Sequence, residues 1–307
     1  MAKIITVFGA TGNQGGSVID HILADNALSK DFRIRGITRD PAKPASQKLA
    51  ERGVELATVC PSHCRHELQG LPHQGLVWIA HRFSVTNYWE SMNADTEIAQ
   101  GKNVADAAKE VGVSHIIFSS LLNVTEVTGG RLTHVPHFDG KAKIEQYIRS
   151  TGVPSTFVLP GYFMSNYIQM LRKEEDGSYT LAYPVGDKAK FPLFDAASDT
   201  GKFVKPALKD PQSFNGKHIL AATDYYTPER VLSEFEEVTG KKTKYVQVSA
   251  EQYKSFLPAA MAEEMLENHL FVEEPGYYNG ASLEESLSVL EDKPTTWKEF
   301  ITKSGAF

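Results

Sequence analysis

Cysteine is close to absent from this 307-residue chain, which has only Cys60 and Cys64. They lie too near one another to read as a disulfide framework, so a reducing compartment is expected. Long apolar runs are missing as well, and none reaches the roughly 18 residues that a membrane-spanning helix needs. There is no run of one charge sign. The formal net charge is −6, without the clustered Lys/Arg footprint of a nucleic-acid binder. A mild negative balance bears mainly on solubility. A first strand starting near Lys3 leaves no length for a targeting peptide. The sequence therefore points to a cytoplasmic protein, with the nucleus as an alternative compartment, and to no direct contact with membrane or nucleic acid.

Aspartate is also missing between Asp40 and Asp95. Within that gap, residues 60–82 carry both Cys, four His (His63, His66, His73, His81) and a single acid, Glu67. Two readings stand. One is a stretch divergent from its flanks, or out of frame with them, with ordinary sequence resuming near Val85. The other is a metal site from Cys60, His63, Cys64 and His66. Those residue types suit zinc, but the spacing lacks the second half-site across a loop. No metal is expected.

What is present is a core. Hydrophobic residues make up 41% of the chain, enough for one large or two modest domains. Residues 4–8 are a β-branched apolar run ending in glycine, which reads as a buried strand. Val18, Ile19, Ile22 and Leu23 then recur at helical spacing. Residues 32–38 alternate as a second strand, broken by Asp40-Pro41. A helix is predicted over 98–111, a strand over 115–118, a helix over 139–149 and a strand over 156–159. This alternation implies a doubly wound Rossmann-type parallel sheet, an α/β fold with right-handed crossovers. Past Gly161 aromatic residues gather (Tyr162, Phe163, Tyr167, Tyr179, Tyr183), and helices are predicted over 229–238 and 250–268. The expected division is a dinucleotide-binding domain, residues 1–160, and a smaller α/β lobe, residues 161–307, over the sheet's carboxyl edge.

The chemistry begins where the first strand ends, in Gly9-x-x-Gly12-x-x-Gly15. The first glycine permits the tight turn. The second lets backbone approach a pyrophosphate, and the third lets helix pack closely on sheet. The following helix offers free N–H groups and a partial positive charge to phosphates. Alone the spacing is weak evidence; between an apolar strand and an amphipathic helix it carries weight. At the end of the second strand an NAD site usually places an acid for the ribose 2′-hydroxyl. Here Thr38-Arg39 stands instead, and a guanidinium matches a 2′-phosphate through paired hydrogen bonds. Lys43 could add charge. The implied cofactor is NADP(H).

Further motifs follow in order: Val85-Thr-Asn-Tyr-Trp-Glu90, Gln100-Gly-Lys102, His137-Phe-Asp-Gly-Lys141 and Leu159-Pro-Gly-Tyr-Phe163. With the glycine loop and Thr38-Arg39-Asp-Pro41, they resemble the NmrA-like family of atypical short-chain dehydrogenase/reductases over nearly the whole chain. The resemblance implies that Thr11, Gly12, Asn13, Gln14, Gly15 and Gly16 hold the pyrophosphate and Arg39 the 2′-phosphate. It implies that Thr86 and Asn87 pass near the adenosine and ribose, and that Lys102 and Lys141 face the cofactor. Pro160, Gly161, Tyr162 and Phe163 would lie beside the nicotinamide. The family's Asp-rich turn after the third strand, which contacts the adenine, has no counterpart in residues 60–82.

Typical members of the superfamily use Tyr-x-x-x-Lys, in which the tyrosine exchanges a proton and the lysine assists it. Here the lysine is Lys141 and the tyrosine position holds His137. Histidine can move protons near neutral pH, or it can simply pack, with Asp139 the better helix cap. Lys141 can hold ribose hydroxyls or act as the proton donor itself, as the related isoflavone-reductase-like enzymes imply. Two functions remain open: an NADPH-dependent oxidoreductase of a small organic substrate, with Tyr162, Phe163 and Tyr167 walling it, and a non-catalytic redox sensor acting on a regulatory protein partner.

Overall fold

The structure is a computed structural model that describes residues 2–58 and 79–307, with side chains from residue 81 in the second span. The Cys60, His63, Cys64 and His66 reading falls outside the described residues. The first half has six strands, β1 (Lys3–Val7), β2 (Phe32–Thr38), β3 (Glu55–Thr58), β4 (Ile79–Ser84), β5 (His115–Ser119) and β6 (Ser155–Pro160); β1, β2, β5 and β6 are those read from the residues, and β3 and β4 were not. Beyond Gly161 come β7 (Tyr162–Phe163), β8 (Leu171–Lys173), β9 (Tyr179–Tyr183), β10 (Phe191–Phe194), β11 (His218–Ala221), β12 (Asp224–Tyr226) and β13 (Thr243–Gln247). The main sheet has seven strands in the order β3-β2-β1-β4-β5-β6-β11, and every neighbouring pair is parallel. Two three-stranded sheets, β12-β10-β7 and β13-β9-β8, build the rest. The fold is thus α/β with a parallel central sheet, and the chain's second half both makes the small sheets and returns to finish the large one through β11.

The central strands β1, β4, β5 and β6 are buried because helices cover both faces of the main sheet. Side chains alternate between the faces with the period of two that a pleated strand imposes. Ile5, Val7, Phe83, Ile117 and Val158 pack in one core with α1 (Asn13–Ala24), and Ile116, Phe118, Phe157 and Leu159 pack in another. The second core includes residues of α2 (Ala94–Glu110) and α3 (Pro136–Thr151), while α4 (Ala196–Lys209) joins α1 in the first. A Cβ on Gly101 would sit 2.6 Å from Ile144, so only glycine lets α2 and α3 lie this close. That approach positions Glu97 of α2 against Lys141 of α3.

Central strand β4 carries polar side chains where apolar ones are usual. Arg82 is fully buried, donates to the Val104 carbonyl at 2.8 Å and lies over the Phe8 ring. His81 packs against Phe32 and His115, and burial holds it down to about 4, so it is neutral at physiological pH.

The single helix predicted over 250–268 is two, Ala250–Ser255 and a longer one, after α5 (Pro228–Thr239): α6 (Ala259–Phe271). Pro258 caps the second. Lacking an N–H, and pushing Leu257 out of the helical region, it cannot be passed through. Trp297 anchors the terminal helix Trp297–Ser304. It is fully buried, stacks on Phe300, contacts Tyr167 and donates its indole N–H to the Val231 carbonyl of α5 at 2.9 Å. Among the described residues no helix is long and apolar enough to cross a membrane.

Candidate functional site

Strand order reverses beside β1, between β1 and β4, where open α/β sheets bind ligands outside the strands' carboxyl ends. A cavity of about 1110 Å³ opens there. The turn after β1 supplies Gly9, Thr11, Gly12, Asn13, Gln14 and Gly15 to its lining. Gly12 precedes α1 without a side-chain cap, and the first turn of α1 holds no acid. Its N–H groups and the positive end of the helix dipole are therefore left for an anion.

Arg39, just past β2, stands at the cavity's rim, well exposed, and its guanidinium pairs with Glu90 across the opening. Thr58, at the end of β3, also lines the cavity, on the side where the resemblance leads one to expect an Asp-rich turn. Thr86 and Asn87 follow β4. Lys141 reaches them from α3. Its ammonium donates to the Thr86 carbonyl at 3.1 Å, the Thr86 hydroxyl at 3.0 Å and Glu97 Oε1 at 2.6 Å. Thr86 Oγ1 in turn donates to the same Glu97 oxygen at 2.7 Å. All three ammonium hydrogens are thus engaged, against a carboxylate whose side chain is only 1% exposed.

One helical turn before Lys141, His137 also lines the cavity. Its Nδ1 and its backbone N–H both bond Glu264 Oε1 of α6, and the Tyr88 hydroxyl donates to Glu264 Oε2 at 2.9 Å. Burial first, and this bond second, raise the Tyr88 phenol above its ordinary value. Pro160, Gly161, Tyr162 and Phe163 close the far side with Tyr277. The Tyr162 hydroxyl turns toward Tyr183, at 3.0 Å, and burial pushes it up to about 12.

Of the residues singled out from the sequence, Gly16, Lys43 and Lys102 lie outside the lining. Lys43 is exposed ahead of the Pro44–Glu51 helix, and Lys102 sets its ammonium over the Tyr147 ring at 5.1 Å. Tyr167 is core, packed on Trp297 and Tyr162. Asp139 does not cap its own helix. Its carboxylate accepts from the backbone N–H groups of Val124 and Thr125, at 2.8 and 3.3 Å, and so holds the preceding loop.

Glu97, Tyr88 and Glu264 were not found from the sequence, nor was the α6 face formed by Met261, Met265 and Asn268. The i, i+3, i+4, i+7 spacing of Met261, Glu264, Met265 and Asn268 was the available signal.

A glycine turn at the switch point of a doubly wound parallel sheet, leading into an uncapped helix, defines a Rossmann-type α/β protein. More particularly, this chain belongs to the NmrA-like family, whose sequence model matches residues 1–301. It is 33% identical over 264 residues to the NmrA-like family domain-containing oxidoreductase malD of Malbranchea aurantiaca, covering 81% of this chain and 76% of that one. Among solved structures it is similar to NmrA, a negative transcriptional regulator, in complex with NADP (TM-score 0.81, 24% identity, 98% of this chain and 95% of that one). It is also similar to the Citrobacter sp. triphenylmethane reductase complexed with NADP(H) (TM-score 0.77, 22% identity, 98% and 99%).

Proposed function

We propose that this chain binds NADP(H) along the cavity and uses it to reduce a small organic substrate. The observation that carries the reading is the cavity's extent. It runs from the phosphate-side turn past residues 160–163 to Met261, Met265 and Asn268 of the second half, so its lining extends beyond the residues assigned to the cofactor. Space for a second molecule is what a reductase needs and a plain cofactor binder does not. The residues fit the cofactor: uncapped N–H groups for the pyrophosphate, Arg39 for the 2′-phosphate, and Asn87 for ribose hydroxyls, on a turn that Lys141 holds in place through Thr86. Lys141 would take over the positioning work of the superfamily's tyrosine–lysine pair. When bound, the nicotinamide supplies a hydride. Asn268 is buried with its Oδ1 unpartnered among the described residues, which favours a substrate carrying a hydrogen-bond donor. Family membership, and the NADP(H) found in the triphenylmethane reductase, support the assignment.

The test is an NADPH-oxidation screen over carbonyl, enone and imine compounds. Turnover of at least one is expected. Firm NADPH binding with no turnover of any would overturn the reductase in favour of a redox sensor. One observation favours that second reading: Arg39 is tied to Glu90 on the turn that also carries exposed Trp89 and nearby Met92. A 2′-phosphate that captures Arg39 would release this turn to a protein partner.

Cofactor choice is checked separately. A charge-assisted hydrogen bond at an exposed site contributes roughly 1.5 kcal/mol, about tenfold in affinity. Arg39→Ala should therefore weaken NADPH about tenfold, leave NADH unchanged, and flatten the salt dependence of NADPH binding. Equal NADPH and NADH affinities in the wild type would remove Arg39 from the assignment.

A further inference from the structure

We infer that His137 delivers the proton to the reduced substrate, and that Glu264, reaching in from α6, fixes the imidazole in the tautomer and orientation that let it do so. The inference rests on the reductase reading above. Glu264 Oε1 accepts from two groups of the same residue, the ring Nδ1 and the backbone N–H at 3.3 Å. That pair of bonds sets the side-chain torsion of His137 as well as its ring plane. The second oxygen is taken by the Tyr88 hydroxyl at 2.9 Å. A carboxylate can only accept, so Nδ1 carries the hydrogen in the neutral ring. Nε2 is then the free nitrogen, and no hydrogen bond to it is made among the described residues. Trp89, Tyr88 and Phe138 surround the ring, with centroids at 5.0, 5.9 and 4.9 Å, and keep it from swinging.

An acid–base group oriented by a buried carboxylate is the arrangement proton-transfer chemistry requires. Lys141, the other candidate in reach, has its three hydrogens engaged with Thr86 and Glu97. The work divides: Lys141 positions, His137 donates. When bound, the reduced nicotinamide would supply a hydride, and with it an electron pair, to the substrate's carbonyl carbon. The C=O π pair moves to oxygen and forms an O–H bond with the proton on Nε2 of doubly protonated His137. The carbonyl is reduced to an alcohol and NADPH is oxidised to NADP⁺. Water returns the Nε2 proton, while the Nδ1 hydrogen stays on the ring, donated to Glu264, throughout.

Two measurements test this. In ring-labelled wild type at alkaline pH, ¹⁵N NMR should show His137 with Nδ1 protonated and Nε2 bare. Glu264→Met should shift the ring toward the Nε2–H tautomer. A wild-type ring already carrying its hydrogen on Nε2 overturns the proposal without any activity assay. With a substrate found by the screen, His137→Phe should lower kcat by about 10²–10⁴-fold, the usual worth of a positioned acid–base group, with KM little changed. Glu264→Gln should lower kcat less and keep KM. His137→Gln serves if the phenylalanine variant does not fold. A His137 variant that binds NADPH and keeps its rate within about threefold overturns this inference alone. A wild type that oxidises NADPH with no compound overturns the reductase reading and this one with it.

Discussion

Gly15→Ala should weaken NADP(H) binding by at least about 100-fold and lower the melting temperature. A Cβ at this position would lie 2.3 Å from the Gly9 oxygen, 2.7 Å from the Gly9 carbonyl carbon and 2.9 Å from the Phe8 oxygen. All three are backbone atoms at the end of β1, so no flexible side chain can yield. Either the turn or α1 must move, and such overpacking costs about 1–3 kcal/mol in the free protein. The same displacement carries the N–H groups of the uncapped helix away from the pyrophosphate. About 2.8 kcal/mol of lost binding corresponds to 100-fold. Gly16→Ala supplies the graded comparison. Its Cβ would meet the Ala10 oxygen at 3.7 Å, an ordinary contact, and less than tenfold loss is expected. Calorimetric titration with NADPH, alongside thermal melts, reads both quantities. An alanine at position 15 that binds within about threefold of wild type would show that this turn does not hold the phosphates.

This turn was legible in the sequence because everything that makes it is local. A β-branched strand, three glycines at fixed spacing and an amphipathic helix follow one another within 24 residues. β2 was read over its full length for a similar reason: alternation followed by a proline break needs no partner elsewhere. The site's other half was not legible. Glu264 meets His137 across 127 residues of chain, and Asn268 and the two methionines reach the cavity only because α6 folds back over the sheet's edge. Nothing local distinguishes Glu264 from its neighbour Glu263, which is a surface residue paired with Lys254. The same limit explains the lysines. Lys102 and Lys141 occupy similar motif positions, yet only Lys141 turns to the cavity, because Gly101 lets α2 and α3 close on one another and places Glu97, not Lys102, between them and Thr86. The predicted helix over 250–268 failed locally rather than globally, since the apolar spacing ran on while Pro258 had already ended the backbone pattern.

The Lys141–Glu97 pair yields the second large effect, and it governs how any lysine variant must be read. The Glu97 side chain is 1% exposed and that of Lys141 11%, at 2.6 Å. Glu97 Oε2 already lacks a partner, so the carboxylate depends on the ammonium and on the Thr86 hydroxyl. Removing one member of a buried pair typically costs about 3–5 kcal/mol, because the remaining charge stays desolvated. Lys141→Met should therefore lose about that much stability in urea, a large part of the roughly 5–15 kcal/mol a domain possesses. The double variant Lys141→Met/Glu97→Leu should recover most of it, since two apolar side chains can fill the space without a stranded charge. If the double variant folds stably yet binds NADPH weakly, Lys141 acts on the cofactor directly. If it binds NADPH as the wild type does, Lys141 only neutralises Glu97. A single Lys141→Met protein within about 1 kcal/mol of wild type would show that the carboxylate does not rely on the lysine, and loss of activity in that variant would then be chemical in origin.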